Sequence, residues 1–283
     1  MKIVHFFIGF VAAAFVAGCT EKPIVIPALE VGERKILVEE LTGVQCQNCP
    51  DGAEDLRVLG QTLGEKLIVV SLHAAAGYDT PFGNSKHEFR SADCRAVADY
   101  LYVNGDPGAP AASIDRKSVT EDVGGGQTFT SIFINRPWIG TINARAAIDP
   151  ELGLFLSKKY TENERKLEIT VNVSPDVPQT GEVRLSVFIT EDSIVDVQKK
   201  GTQTILEYVH RHVFRDAVSA PAGDDITSAL SLGLPFTRTY TINLPVLPEN
   251  WEAKHCQIVA FVHRHGAPEN KEILQADEIH VID

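Results

Sequence analysis

The segment Lys35–Asp51, KILVEELTGVQCQNCPD, constrains this chain more than any other. Ile36, Leu37 and Val38 open a strand-like run that passes through Glu39, Glu40 and Leu41 into a Thr-Gly turn. The turn delivers Cys46 and Cys49 at C-x-x-C spacing. Beyond Cys49 the apolar residues Ala53, Leu56, Val58, Leu59 and Leu63 recur at roughly helical intervals until Gly64. Lys66–His73, KLIVVSLH, then reads as a second strand. Strand, dithiol at a helix start, helix and strand together predict a βαβ unit.

The order has a chemical reason. The first turn of a helix offers unpaired N–H groups and the positive end of the macrodipole, which favour a thiolate. Cys46 is read as the attacking thiol, facing solvent, and Cys49 as the resolving thiol one turn further in. Pro50 suits a first turn because it has no N–H to lose. The pattern resembles the opening of thioredoxin-like proteins, in which a buried acid at the position of Glu40 handles the proton of the resolving thiol. Glu40 shares a strand face with Ile36 and Val38, so burial and a raised pKa follow if that face is covered. The other reading is an exposed glutamate at a strand end.

The same resemblance bears on NGDPGAP, Asn104–Pro110, a turn cluster that leads into the strand-like Ala111–Arg116. Thioredoxin-like proteins keep a cis-proline at this place, beside the dithiol, where a substrate peptide can add as a strand. The candidates are Ala109 and Pro110, with Pro107 as the alternative and an ordinary trans turn proline as the plain reading. Helices are expected over Ser85–Val103, where Cys94, Val97, Ala98 and Leu101 form one stripe, and from Pro137 to about Ile148. On that stripe Cys94 reads as a small buried hydrophobe.

The N-terminus reads as a targeting signal. Lys2 precedes the apolar run Ile3–Ala17, which is too short for a spanning helix. It ends in Val16-Ala17-Gly18-Cys19, which resembles a bacterial lipobox; the resemblance implies that Cys19 carries lipid. The expected divisions are a signal peptide over 1–18, a tether over 19–33, a thioredoxin-like domain over 34–148 and a β-sandwich over 149–283. The folded part belongs to an oxidising, extracytoplasmic space, held to the membrane through Cys19. A net charge of −12 with no basic cluster argues against nucleic acid as a partner. Of the five cysteines, Cys94 and Cys256 are left over, too few for a disulfide scaffold, so the cores must be hydrophobic.

From Asp149 onward the pattern is one of alternating strands: Leu167 to Val173, Val183 to Ile189, Phe236 to Leu244, Cys256 to Arg264 and Ile273 to Val281. Their spacing suggests an antiparallel sandwich of immunoglobulin-like type. Two repeated segments, His210-Arg211-His212 and His263-Arg264-His265, would each project two imidazoles from one strand face. Four histidines could meet and suit Zn²⁺ if the two strands were neighbours, but no acid or cysteine at ligand spacing completes either pair, so they are read as a polar strand face or as packing beside Tyr208, Phe214 and Phe261, without metal. No cofactor is expected.

The lipobox, the motif at Thr42, Gly43, Cys46, Asn48, Cys49 and Pro50, and the segment at Tyr208, His210, His212, Val213 and Arg215 resemble the twenty-eight-kilodalton outer-membrane lipoprotein family of Bacteroidetes. The resemblance covers nearly all of the mature chain and implies an outer-membrane or cell-surface protein with a thioredoxin-like domain. Gln45 stands where thioredoxin-like motifs usually carry tryptophan, which makes the rim more polar. Two functions fit. One is thiol–disulfide exchange on extracytoplasmic proteins, with Cys46 attacking, Cys49 resolving, Glu40 relaying a proton and Ala109-Pro110 docking the peptide. The other is a surface-binding lipoprotein in which Cys46–Cys49 is a static disulfide.

Overall fold

The computed structural model describes residues 32–124, 127–246, 251–267 and 270–283. The expected signal peptide, Cys19 and nearly all of the expected tether lie outside them. The first half runs β1 (Ile36–Thr42), α1 (Cys49–Leu63), β2 (Leu67–His73), α2 (Ala92–Leu101), β3 (Ala111–Ile114), the hairpin β4 (Val119–Gly124) and β5 (Gln127–Ser131), β6 (Phe133–Ile134) and α3 (Ile139–Ala146). The second half is made of strands: β7 (Leu152–Thr161), β8 (Lys166–Pro175), β9 (Glu182–Glu191), β10 (Ile194–Lys200), β11 (Gln203–His210), β12 (Val213–Ala217), β13 (Asp224–Asp225), β14 (Phe236–Asn243), β15 (Cys256–His265) and β16 (Ile273–His280).

β1 and β2 pair in parallel across α1, with Glu40 opposite Ser71 and Thr42 opposite His73. β3 runs antiparallel on the other side of β1. The apolar residues of β1 and β2 divide by strand alternation. Ile36, Val38 and Val69 pack with Leu56 of α1 and with Trp138 and Ile142 at α3. Leu37, Leu41, Ile68 and Leu72 face α2, where Cys94, Val97, Ala98 and Leu101 are all buried. Each large side chain so buried contributes on the order of 2 kcal/mol.

The expected boundary at residue 148 is not a break in the sheet. β12 lies beside β2, and the strand order β16-β15-β9-β12-β2-β1-β3-β6, with β13 paired to β9 off this path, makes one nine-stranded sheet from both halves. The carbonyl of His212 accepts from the N–H of Ser71 at 2.7 Å at this join. α2 spans it, because Phe188, Phe214 and Phe261 belong to the same core as Val97 and Leu101. On their other face β9 and β15 pack against a three-stranded sheet, β14-β8-β7, through Leu167, Ile169, Val171, Leu185, Val187 and Ile258. The second half therefore forms two packed sheet layers, as alternation predicts. One of those layers is continuous with the βαβ unit, so it is not a free-standing immunoglobulin-like sandwich.

Two helices are shorter than their sequence patterns suggest. α2 starts at Ala92, with the Ser91 hydroxyl accepting from the Cys94 N–H. Upstream, the Asp196 carboxylate of β10 accepts from the N–H groups of Lys86 and His87 at 2.8–3.0 Å. That distant partner holds the segment out of a helix. α3 runs Ile139–Ala146, with Trp138 rather than Pro137 at its entry. Both spare cysteines, Cys94 and Cys256, are free and buried.

Candidate functional site

Cys46 and Cys49 are joined as a disulfide at the start of α1. The preceding loop is a tight one. A Cβ on Gly43 would fall 2.4 Å from the Tyr78 carbonyl oxygen, and that carbonyl accepts from the Gln45 N–H at 2.9 Å. The Gln45 side chain, in place of tryptophan, donates to the Thr80 carbonyl at 2.7 Å.

The expectation that Cys46 faces solvent is corrected here, for both cysteines are only 2% exposed. The cover comes from the β10–β11 hairpin of the second half. The Lys199 N–H donates to the Val44 carbonyl and the Gly201 N–H to that of Gln47, at 2.8 and 2.9 Å. The Gln198 side-chain amide donates to the carbonyls of Cys46 and Gly43. β10 thus runs beside the Val44–Gln47 loop almost as an added strand, a relationship that no local pattern in the sequence announces.

Behind the disulfide lies Glu40, 2% exposed. Burial pushes its pKa up to about 8; the Ser71 hydroxyl, donating to Oε2 at 3.4 Å, and the charge of Arg136 oppose that rise more weakly. Its other oxygen, Oε1, has no hydrogen-bond partner. Gly52 of α1 is what lets the helix lie this close. A Cβ there would meet Glu40 Oε1 at 2.9 Å, Trp138 Cη2 at 3.0 Å and Pro110 Cβ at 3.2 Å. The Ala109–Pro110 peptide bond is cis, and Pro107 is not its equivalent. Glu40, the first turns of α1 and the loop carrying Pro110 thus meet around one glycine.

A chamber of about 230 Å³ opens between α1 and the β11 segment, lined among others by Glu40, Cys49, Ser71, His73, Tyr208 and His210. Burial pushes the His210 pKa down to about 4 and that of His73 well below the ordinary histidine range, so both are neutral at pH 7. Both rings pack on Phe89, each with centroids 4.7 Å away. The structure does not gather the two His-Arg-His segments. His212 lies past the end of β11 with a positive φ of 51° and its Nδ1 is 3.6 Å from Asp192, although it lines the same chamber as His210. His263 bonds Ser186 and His265 bonds Tyr100, on β15, which does not neighbour β11. Among the described residues, no group of three or more His, Cys, Asp or Glu side chains is arranged to hold a metal ion.

Sequence reasoning missed His73, Ser71 and Gln198, and named Tyr208 without placing it beside Cys49. Ser71 and His73 alone carried a signal: two polar residues on one face at the end of an apolar strand.

A family model described as outer membrane protein Omp28 matches residues 98–279, C-terminal to the two bonded cysteines. The match defines an outer-membrane protein of the cell envelope. The chain belongs to the Omp28 family. Among solved structures it is similar to HBP35 of Porphyromonas gingivalis, with a TM-score of 0.68 and 17% identity over 88% of this chain and 75% of that one. It is also similar in fold to protein AGR_C_4864 of Agrobacterium tumefaciens, with a TM-score of 0.51 and 14% identity over 89% and 96% of the two chains. Comparison with curated proteins finds no match. No helix among the described residues is long and apolar enough to cross a membrane.

Proposed function

We propose that this protein is a lipid-anchored envelope protein whose thioredoxin-like first half exchanges thiols and disulfides with extracytoplasmic proteins at Cys46–Cys49. The carrying observation is Glu40, a buried acid that holds its proton near neutral pH and lines the same chamber as Cys49. A client thiolate attacks Cys46 Sγ, the bond to Cys49 breaks, and its electron pair leaves on Cys49 Sγ. That sulfur takes the proton of Glu40. A second client thiol then attacks the mixed disulfide, which releases Cys46 and leaves the client oxidised; the reverse sequence reduces a client. The loop at Ala109 and Pro110 borders the site and is the proposed rest for the client's backbone. Lipid on Cys19 would confine this chemistry to the membrane surface, and mass spectrometry of the native N-terminal peptide tests that part. An unmodified Cys19 contradicts it.

The burial of both cysteines favours a second reading, in which the disulfide is static and the second half binds a partner. Exchange requires the β10–β11 hairpin to lift from Val44–Gln47. Trapping separates the two. Cys49→Ser should accumulate mixed disulfides with envelope proteins through Cys46, and Cys46→Ser should accumulate few. Equal, background-level capture by both variants would leave the static reading standing.

A further inference from the structure

Four large apolar side chains stand exposed at one end of the molecule: Ile148 (43%), Val177 (42%), Leu232 (56%) and Leu234 (64%). They belong to the loops before β7, after β8 and before β14. Strand register brings these loops together, because Leu152 pairs with Pro175 and Phe236 with Val173. The Glu151 carbonyl accepts from the N–H groups of Asp176 and Val177, and the Pro175 carbonyl from that of Gly233. Gly32, where the described residues begin, lines one depression with Ile148, Asp149, Pro150 and Asp176. The expected tether from Cys19 therefore joins the fold beside this apolar end. Single apolar residues scattered over a surface are ordinary, whereas a cluster beside an anchor point marks a contact surface.

We propose that this end docks on the surface of the lipid bilayer that holds Cys19, with Ile148, Val177, Leu232 and Leu234 set among the headgroups. The proposal rests on the lipid-anchor part of the reading above. Only Thr20–Val31 separates Cys19 from Gly32. At no more than about 3.6 Å per residue that span reaches at most on the order of 45 Å. The bilayer is thus the surface always within reach of this end. Four side chains are too few to hold a protein on a membrane unaided. An anchor makes their contact intramolecular, at an effective concentration that lets a weak patch act. Charge narrows the choice of lipid. Glu33, Asp149, Glu151 and Asp176 lie at this end, offset only by Lys66, which pairs with Glu33, and Arg264, which pairs with Glu151. An anionic surface would repel it, so the fitting headgroup is zwitterionic, as in phosphatidylethanolamine.

Docking at this end fixes where the dithiol points. Gly32 lies four residues before β1 and Lys66 directly before β2, and the two strands run in parallel away from that end. Cys46 and Cys49 follow the far end of β1, a strand of seven residues. At about 3.3 Å per residue the strand alone carries the disulfide roughly 20 Å from the bilayer, into the aqueous space where other proteins are met. A chain held by lipid alone would present every face in turn.

The test places an environment-sensitive nitrobenzoxadiazole label on Leu232→Cys in the lipidated mature protein, reconstituted into vesicles of phosphatidylethanolamine and phosphatidylcholine. Cys94 and Cys256 are buried and Cys46 is bonded to Cys49, so the introduced thiol takes the label. Val246→Cys, comparably exposed beyond the opposite end of β14, is the control. Emission from the first site should rise several-fold on reconstitution and be quenched by phosphatidylcholine spin-labelled on its acyl chain, and the control should do neither. Adding Val177→Asp and Leu234→Asp to the labelled protein changes exposed positions only and should remove most of the rise. No rise at the first site, equal behaviour of the two sites, or a rise that the aspartates leave intact overturns docking. A rise that spin-labelled lipid does not quench overturns it too, and dependence of that rise on protein density would assign the patch to a second copy of the chain. Flotation with the vesicles judges the anchor separately. Failure to float contradicts the anchor and docking together, whereas flotation without a rise contradicts docking alone.

Discussion

The side-chain amide of Gln198 donates to the carbonyl oxygen of Cys46 at 3.0 Å and to that of Gly43 at 3.3 Å. One residue of the second half therefore holds the loop that carries Cys46 in the first. Gln198→Ala removes both bonds, which together contribute about 1–2 kcal/mol. The variant should lift its hairpin more often, and dithiothreitol should reduce the Cys46–Cys49 bond several-fold to about tenfold faster. Stopped-flow reduction under pseudo-first-order conditions reads this directly. An unchanged rate would mean that the hairpin does not limit access.

Glu40 sets a pH dependence of known sign. Its pKa is about 8 in the folded protein against 4.5 as the ordinary value, so the folded state holds a proton that the unfolded state releases. Stability from this group is fully present below the unfolded pKa and is lost as pH rises from about 4.5 to about 8. Against Glu40→Gln, which does not titrate, the wild-type protein should lose up to about 1.4 kcal/mol per pH unit across that window. Urea unfolding at several pH values measures the difference, and parallel curves for the two proteins would show that Glu40 is not the buried acid described here.

Arg116 and Glu39 form a buried ion pair within the first half, and Arg116 also reaches the second half. Nε and Nη2 of Arg116 grip both oxygens of Glu39 at 2.9 and 2.6 Å, with both side chains fully buried. The guanidinium also lies 4.6 Å from the ring centroid of Phe261 on β15. Removing one partner strands the other charge, so Glu39→Gln or Arg116→Met should each destabilise by about 3–5 kcal/mol. Replacing both with apolar residues should recover much of that loss. A double-mutant cycle by chemical denaturation checks the coupling, and simple additivity would contradict it.

The candidate site was legible where its signals were local. The C-x-x-C spacing, the apolar strand before it, and the turn cluster before Ala111 pointed to Cys46, Cys49, Glu40 and Pro110. The alternation of Leu167, Ile169, Val171 and Val173 marked a strand with one buried face, and all four are buried. What was not legible depends on partners far away in sequence. Nothing local says that β12 will lie beside β2, that Asp196 will hold Lys86 and His87 out of a helix, or that β10 will cover Cys46. His212 looks like the strand partner of His210, yet it lies past the end of β11 with a left-handed backbone. One further clue lies in the sequence: the unbroken apolar run Ile258–Val262 on β15 is what a strand buried on both faces looks like, and such a strand belongs inside a larger sheet.

The reduction potential of the Cys46–Cys49 pair tests the exchange function most directly. Equilibration of the mature protein against defined thiol–disulfide buffers, with the two states resolved by alkylation and mass, gives the value. An exchanging pair should fall among the catalytic dithiols, between about −270 and −120 mV. A potential below about −300 mV, the range of structural disulfides, would contradict exchange and make Cys46–Cys49 a fixed staple beneath the hairpin.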